Sequence, residues 1–359
     1  MQTKSKGLDF AGKRIYIGLD VHQKTWTACI FSEQLEFKKV SLPASAAALK
    51  GYLEQTFPGA SYYSCYEAGF CGFHVHRELE AAGIRNIVVN AADVPATHKE
   101  YVQKDDRRDS RKLGRSLRSA GLTGIHIPTR KTQEDRSLVR LRYTVRKDLT
   151  RTKLRIKSFL SFYGIAHPAE YSSPSQHWSS RYMEWLRTIP METAGGRTAL
   201  QTLVLEAERM RQTLLDVTRA IRTLSKTAAY EKDYRLLSGI TGMGLITGMS
   251  FLSEIEDINR FSSADRIASY VGLIPSSRSS GEKENNGAIT RRAHFLLRDM
   301  IVESAWIAAR HDPALHLAYC DLSKRMKPNK AIIRIARKLL NRIYFVLKNK
   351  KEYVSGTVK

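Results

Sequence analysis

Lys13-Arg14-Ile15-Tyr16-Ile17-Gly18-Leu19-Asp20-Val21-His22 is the stretch on which the reading of this chain turns. Ile15, Ile17 and Leu19 alternate with Tyr16, Gly18 and Asp20, the period of a strand with one face buried. Gly18 has no side chain to hold a neighbouring backbone or ligand away. Asp20 lies near the strand's end, opposite in parity to the Ile15/Ile17/Leu19 set. Thr25 to Phe31 follows after a short turn as a second strand, so the pair forms a hairpin. By itself, an Asp in that place also suits a solvent-facing turn.

Working outward, Leu35 to Val40 reads as a strand, Pro43 to Thr56 as a helix, and Ser61 to Tyr66 as a strand with Glu67 at its C-terminal end. A helix over Gly72 to Ala82, a strand over Asn86 to Asn90 and a loop over Asp93 to Gln103 come next. Three strands and then alternating helix and strand imply a mixed sheet with helices packed on it. Asp106, Asp109, Leu113, Leu117 and Ala120 share one face of the helix that follows. Acidic residues at a helix start also complement its dipole, which is the plainer explanation of the two Asp residues. This fold would gather Asp20, Glu67, Asp106 and Asp109 at one sheet edge. Four such carboxylates cannot all stay ionised without cations. Two Mg²⁺ ions, roughly 3.5–4 Å apart, would relieve the repulsion and polarise a scissile phosphate.

The chain has 359 residues, with Lys+Arg 59 against Asp+Glu 35 and a formal net charge of +24. That imbalance calls for a polyanionic partner, nucleic acid first and an anionic membrane surface second. No apolar run is long enough for a membrane span and no secretory signal is evident, so a cytoplasmic protein is expected. Met1 to Lys13 reads as a disordered lead-in. Cys29, Cys65, Cys71 and Cys320 form no CxxC pair and are expected to be reduced thiols. Cys65 and Cys71, with His74 and His76, do not have the usual spacing of a zinc site.

Glu134 to Leu160 reads as a long helix with Leu138, Leu141, Val145, Leu149, Ile156 and Phe159 as its apolar stripe. Its cations, counted from Lys131 to Lys157, suggest a nucleic-acid face rather than a merely solvated one. His167 to Gly196 is irregular, an insertion between helices. Leu200, Leu203, Ala207, Met210, Leu214, Val217, Ile221 and Leu224 follow steps of three and four, which suits a coiled coil or a hairpin with the basic helix. Leu237 to Gly244 is a Gly-rich turn into a helix over Leu245 to Ile255, a helix-hairpin-helix pattern that can present N–H groups to phosphate. Ser262 and Ser263 can cap a helix ending near Tyr270. Gly272 to Gly287 reads as a long polar loop carrying Ser276, Ser277, Ser279 and Ser280. Helices over Arg292 to Arg310 and Asn329 to Lys348 close the chain, the second with an Ile332/Ile335/Leu339/Ile343 seam.

Ile-Gly-Leu-Asp20-Val-His, Tyr-Glu67-Ala-Gly and Lys-Asp-Asp106-Arg-Arg-Asp109-Ser-Arg-Lys-Leu resemble the DEDD tetrad of insertion-sequence transposases related to Piv-type DNA invertases. Ile240-Thr-Gly-Met-Gly, Gly-Leu-Ile-Pro-Ser-Ser-Arg-Ser279-Ser280-Gly, and the later Ile289-Thr290 and Leu297-Arg298 resemble the second half of the same family. The order matches over nearly the whole chain. Asp105 stands where the family usually has Thr, Ser110 where it has Ala, and Ala293-His294 where it has Gly-Asn.

The resemblance implies an α/β plus all-α protein: a ribonuclease-H-like (RuvC-like) domain over 13–130, a basic helix and coiled coil over 131–229, and a mainly helical C-terminal transposase domain over 230–359. It implies Mg²⁺ bound by Asp20, Glu67, Asp106 and Asp109, with Ser279 as nucleophile and Ser280 as fallback. A covalent serine–phosphate bond would conserve the phosphodiester energy that hydrolysis discards. The implied partners are DNA, a structured guide RNA encoded by the element, and further copies of the chain, as dimers pairing into tetramers. Expected surroundings are the bacterial cytoplasm and nucleoid. A site-specific invertase, a RuvC-like junction nuclease and a non-catalytic nucleic-acid-binding protein are the competing readings.

Overall fold

The computed structural model of the chain describes residues 10–95, 106–280 and 283–356, with backbone alone at 106–108, 277–280 and 283–286. Most of the expected lead-in and of the Asp93 to Gln103 loop, and Asp105, lie outside the described residues. The chain divides into two compact units, Met1–Ile127 and Pro128–Lys359.

The first unit is built on strands β1 (Arg14–Val21), β2 (Thr25–Phe31), β3 (Glu36–Pro43), β4 (Ser61–Glu67) and β5 (Arg85–Val89) in the order β3-β2-β1-β4-β5. β1, β2 and β3 are antiparallel neighbours, whereas β4 runs parallel to both β1 and β5. This mixed sheet is compatible with a ribonuclease-H-like domain. Ile15, Ile17 and Leu19 pack with Leu49 and Leu53 of α1 (Ala46–Thr56) and Val75 and Leu79 of α2 (His74–Ala81). The alternation read from the sequence is therefore the division between the two faces of the sheet.

On the other face lies α3 (Asp106–Arg118), and here helix and strand meet backbone to backbone. A Cβ placed on Gly18 would stand 2.0 Å from the Ser110 carbonyl oxygen and 2.2 Å from the Gly114 nitrogen. One placed on Gly114 would stand 2.5 Å from the Phe31 ring. Beside this contact the Cys65 thiol donates to the Leu113 carbonyl (3.5 Å), and burial pushes its pKa up.

In the second unit α4 (Arg130–Phe162) and α6 (Ala194–Leu224) form a helical hairpin. The 200–224 seam is taken up within the chain: Leu200, Leu203, Ala207, Met210 and Leu214 join one core, and Val217, Ile221 and Leu224 another. Leu141 is 47% exposed, so it does not belong to the α4 stripe, and Val139, Thr152 and Leu160 are buried instead. The His167 to Gly196 insertion is not irregular throughout. It holds α5 (Ser180–Thr188), capped by Ser179 and buried through Tyr182, Met183 and Leu186.

The larger core joins α7 (Glu231–Ser238), α8 (Leu245–Ile255), α9 (Ala264–Val271), α10 (Phe295–His311), α11 (Pro313–Ser323) and α12 (Pro328–Asn349). Ile332, Ile335, Leu339 and Ile343 are all buried, as their spacing predicts, while α11 was not anticipated. Gly242 takes φ +92° in the α7–α8 turn, where a Cβ would meet the Ser304 carbonyl at 2.4 Å. Ser263 caps α9 by accepting from the Arg266 N–H. The polar stretch after α9 is not a loop but a β-hairpin, β6 (Pro275–Ser280) with β7 (Lys283–Ile289). Among the described residues no helix is long and apolar enough to cross a membrane.

Gly18→Ala should force α3 off the sheet and lower stability by about 3 kcal/mol, the upper range for overpacking. Gly51→Ala, with nothing within 4 Å of the added Cβ on helix α1, should instead stabilise by about 0.5–1 kcal/mol. Urea melts of the two variants against the parent chain give both signs.

Candidate active site

Leu19 stands opposite Tyr66 in the parallel β1–β4 register, so Asp20 and Glu67 are the next residues on adjacent strands. Both are half-buried. The Asp20 carboxylate lies 3.1 Å from Nε2 of His22, whose ring tilts toward the exposed Phe70. α3 runs counter to β1. Its later residues reach Phe31, where the Arg118 guanidinium lies 5.3 Å from the ring centroid, and Phe31 pairs with Tyr16 at the far end of the strand. Ser110 rests on Gly18, so the Asp106–Asp109 turn lies toward the Asp20 end. Asp109 is half-buried, directly before the fully buried Ser110. Asp106 opens the helix, and its side chain lies outside the described residues.

Sheet register and helix direction thus draw three described carboxylates and the start of α3 toward one edge. Among the described residues no three His, Cys, Asp or Glu side chains already stand as a metal-binding cluster. The donor chemistry nevertheless suits Mg²⁺, which takes carboxylate oxygens and retains water. Cys65 is turned to the Leu113 carbonyl and His76 to Asn86 (2.9 Å), which is not a zinc arrangement. The four cysteines are free thiols.

Ser279 and Ser280 belong to the second unit. Instead of sitting in a loop, they end strand β6, opposite Glu284 and Lys283, and their side chains lie outside the described residues. At the base of the hairpin the Ser276 hydroxyl donates to the Ala288 carbonyl (2.8 Å), and Arg298 donates to the Thr290 carbonyl (2.7 Å). His294 follows. Its Nδ1 accepts the Leu297 N–H (3.3 Å), which leaves Nε2 to donate to the Glu254 carboxylate (3.1 Å). With both ring nitrogens engaged, His294 caps α10 and is no general base for a serine.

Glu254 is 1% exposed, yet it also receives Arg140 in a two-point bond (2.6 and 2.8 Å) and Arg136 at 3.2 Å. Burial pushes its pKa up, but the bonds from His294 and Arg140 outweigh this and hold it at about 2. Sequence reasoning missed this cluster and counted both arginines to the nucleic-acid face. The signal was there: Glu254 is the only charged residue of α8, among Leu, Ile, Met and Phe, and a carboxylate in such a helix must have partners. Seven of the cations counted on α4, Lys131, Arg142, Arg146, Lys147, Lys153, Arg155 and Lys157, pair with no carboxylate among the described residues.

Two family models match this chain. The Transposase IS116/IS110/IS902 family model covers residues 234–320, from α7 through the serine hairpin into α11. A transposase model of the IS110 DEDD class covers residues 17–165, from β1 to the end of α4. The chain belongs to the IS116/IS110/IS902 family of transposases. It is 25% identical over 293 residues to the transposase for insertion sequence element IS1111A of Coxiella burnetii, across 79% of this chain and 77% of the relative. With the transposase for insertion sequence element IS1533 of Leptospira borgpetersenii it shares 23% over 250 residues, 68% of this chain and 70% of the relative. In this transposase the first matched stretch contains Asp20, Glu67, Asp106 and Asp109, and the second contains Ser279, Glu254 and His294.

Glu254→Gln should destabilise the protein by about 3 kcal/mol at neutral pH, because it leaves the largely buried Arg136 without its counter-charge. The folded-state pKa is depressed from 4.5 to about 2, so the parent's advantage is complete above pH 4.5 and fades as the pH falls toward 2. Chemical melts of parent and variant across that window measure the convergence.

Proposed function

We propose that this transposase excises and inserts its own mobile element, directed by a structured RNA encoded by that element. Asp20, Glu67, Asp106 and Asp109 are the carboxylates that hold Mg²⁺, and Ser279 is the nucleophile. The observation that carries the reading is the adjacency of Asp20 and Glu67 on parallel strands, with α3 pressed onto Gly18 so that its acidic first turn lies toward the same edge. Two Mg²⁺ ions, when bound there, would neutralise the carboxylates and polarise the scissile phosphate.

In this scheme residues 13–130 carry the carboxylates, 131–229 the basic helix and its hairpin partner, and 230–359 the serine. The Ser279 oxygen attacks phosphorus, the sugar oxygen leaves and takes up a proton, and the serine proton passes to solvent. One phosphoester replaces another, so the bond energy is retained for rejoining. Dimers pairing into tetramers would allow the serine of one copy to serve the carboxylates of another. The excess of cations on α4 supports a nucleic-acid partner.

Labelled element-end DNA, incubated with Mg²⁺ and the RNA and run on a denaturing gel, tests this. The parent protein should give a covalent protein–DNA adduct. Ser279→Ala and Asp106→Asn should bind nucleic acid and give none. An adduct lost only in Ser280→Ala would move the nucleophile one residue along. Free cut ends without any adduct would make the protein a junction nuclease and reject the serine.

A further inference from the structure

Within the second unit, a cavity of about 210 Å³ opens between the α4–α6 hairpin and the inserted segment that carries α5. Two carboxylates line it, Glu184 and Glu208, and Arg187 engages both. Lys153 and Arg211 line it too, with no carboxylate partner among the described residues. Burial and the nearby charges of Arg211 and Lys157 lower the Lys153 pKa, so its ammonium is held against repulsion. The third wall is Trp178, at φ +72°, a left-handed conformation that a bulky side chain rarely adopts. Arg211 holds it there by donating to its carbonyl (3.1 Å), its ring meets Tyr182 edge-on at 5.4 Å, and the Lys153 ammonium lies 5.0 Å from its centroid.

A half-buried lysine and an exposed arginine without carboxylate partners among the described residues, beside a strained aromatic at one opening, form a site that lacks its counter-charge. We infer that this cavity seats a phosphodiester of a bound nucleic-acid strand between Lys153 and Arg211, with Trp178 as the wall that positions it. This rests on the nucleic-acid reading above, and adds to it a contact remote in sequence from both the carboxylates and Ser279.

The test measures binding of a short single-stranded RNA, and of DNA of the same sequence, over a range of salt. Each of Lys153→Gln and Arg211→Gln should reduce the log–log salt slope by about 1 on the strand that occupies the site. Lys153→Arg should keep the slope, which separates lost charge from lost folding. Binding of the same strand should shift tryptophan emission in the parent protein but not in Trp178→Phe. The strand type that shows the effect identifies the source of the phosphate. If the parent binds a strand, but both Gln variants keep its slope and Trp178 emission does not respond, the site is refuted and the proposed function stands. If the parent binds neither strand, the nucleic-acid reading itself fails.

Discussion

Where the Ser110 carbonyl rests on Gly18, a helix and a sheet meet with no side chain between them. Helices normally pack on sheets through a layer of side chains, and close-packed interiors tolerate little misfit. Here Gly18, Ser110 and Gly114 are all small, and the helix settles onto strands β1, β2 and β4. This contact fixes both the height and the direction of α3, and through them the place of its acidic first turn. Ser110 itself is fully buried, and its hydroxyl has no hydrogen-bond partner among the described residues. An Ala, which the family usually has there, would fill the same space without a polar group to satisfy.

The second unit is organised around a different constraint. A chain with a formal charge of +24 must keep its cations in solvent or give them partners. Glu254 does the latter for Arg136, Arg140 and His294, and so joins α4, α8 and the residue that leads out of the serine hairpin. A buried charge with three donors tolerates few arrangements, because losing any donor leaves it short of compensation. The orientation of the α10 start therefore depends on a residue forty positions earlier.

Much of the first unit was legible because each strand is either half-buried with clear alternation or bounded by turn residues. β2 matches its expected span, β4 ends at Glu67 and β1 ends one residue past Asp20, the carboxylates that the pattern singled out. The β6–β7 hairpin was not legible. Its Ser, Asn and Glu residues show no apolar alternation, and its strands are recognised by backbone pairing alone. α5 was hidden among Pro and Gly residues, although Tyr182, Met183 and Leu186 follow a helical step. The 200–224 seam was legible as a seam but not as to its partner, since a heptad repeat asks only for an apolar neighbour. The backbone contact at Gly18 was foreshadowed by the glycine, but the helix that fills it lies some ninety residues on.

The way that seam is satisfied bears on mass action. Leu200 through Leu224 find their partners inside one protomer, so the hairpin is not half of an interface waiting for a second chain. Dilution then takes no partner from this seam, whereas a seam shared between two chains would lose its packing as the chains separate. Copies that assemble would do so through surfaces the hairpin leaves exposed, Leu141, Leu154, Leu205 and Leu215 among them. Assembly would then be a reversible step after folding, tunable by protein level.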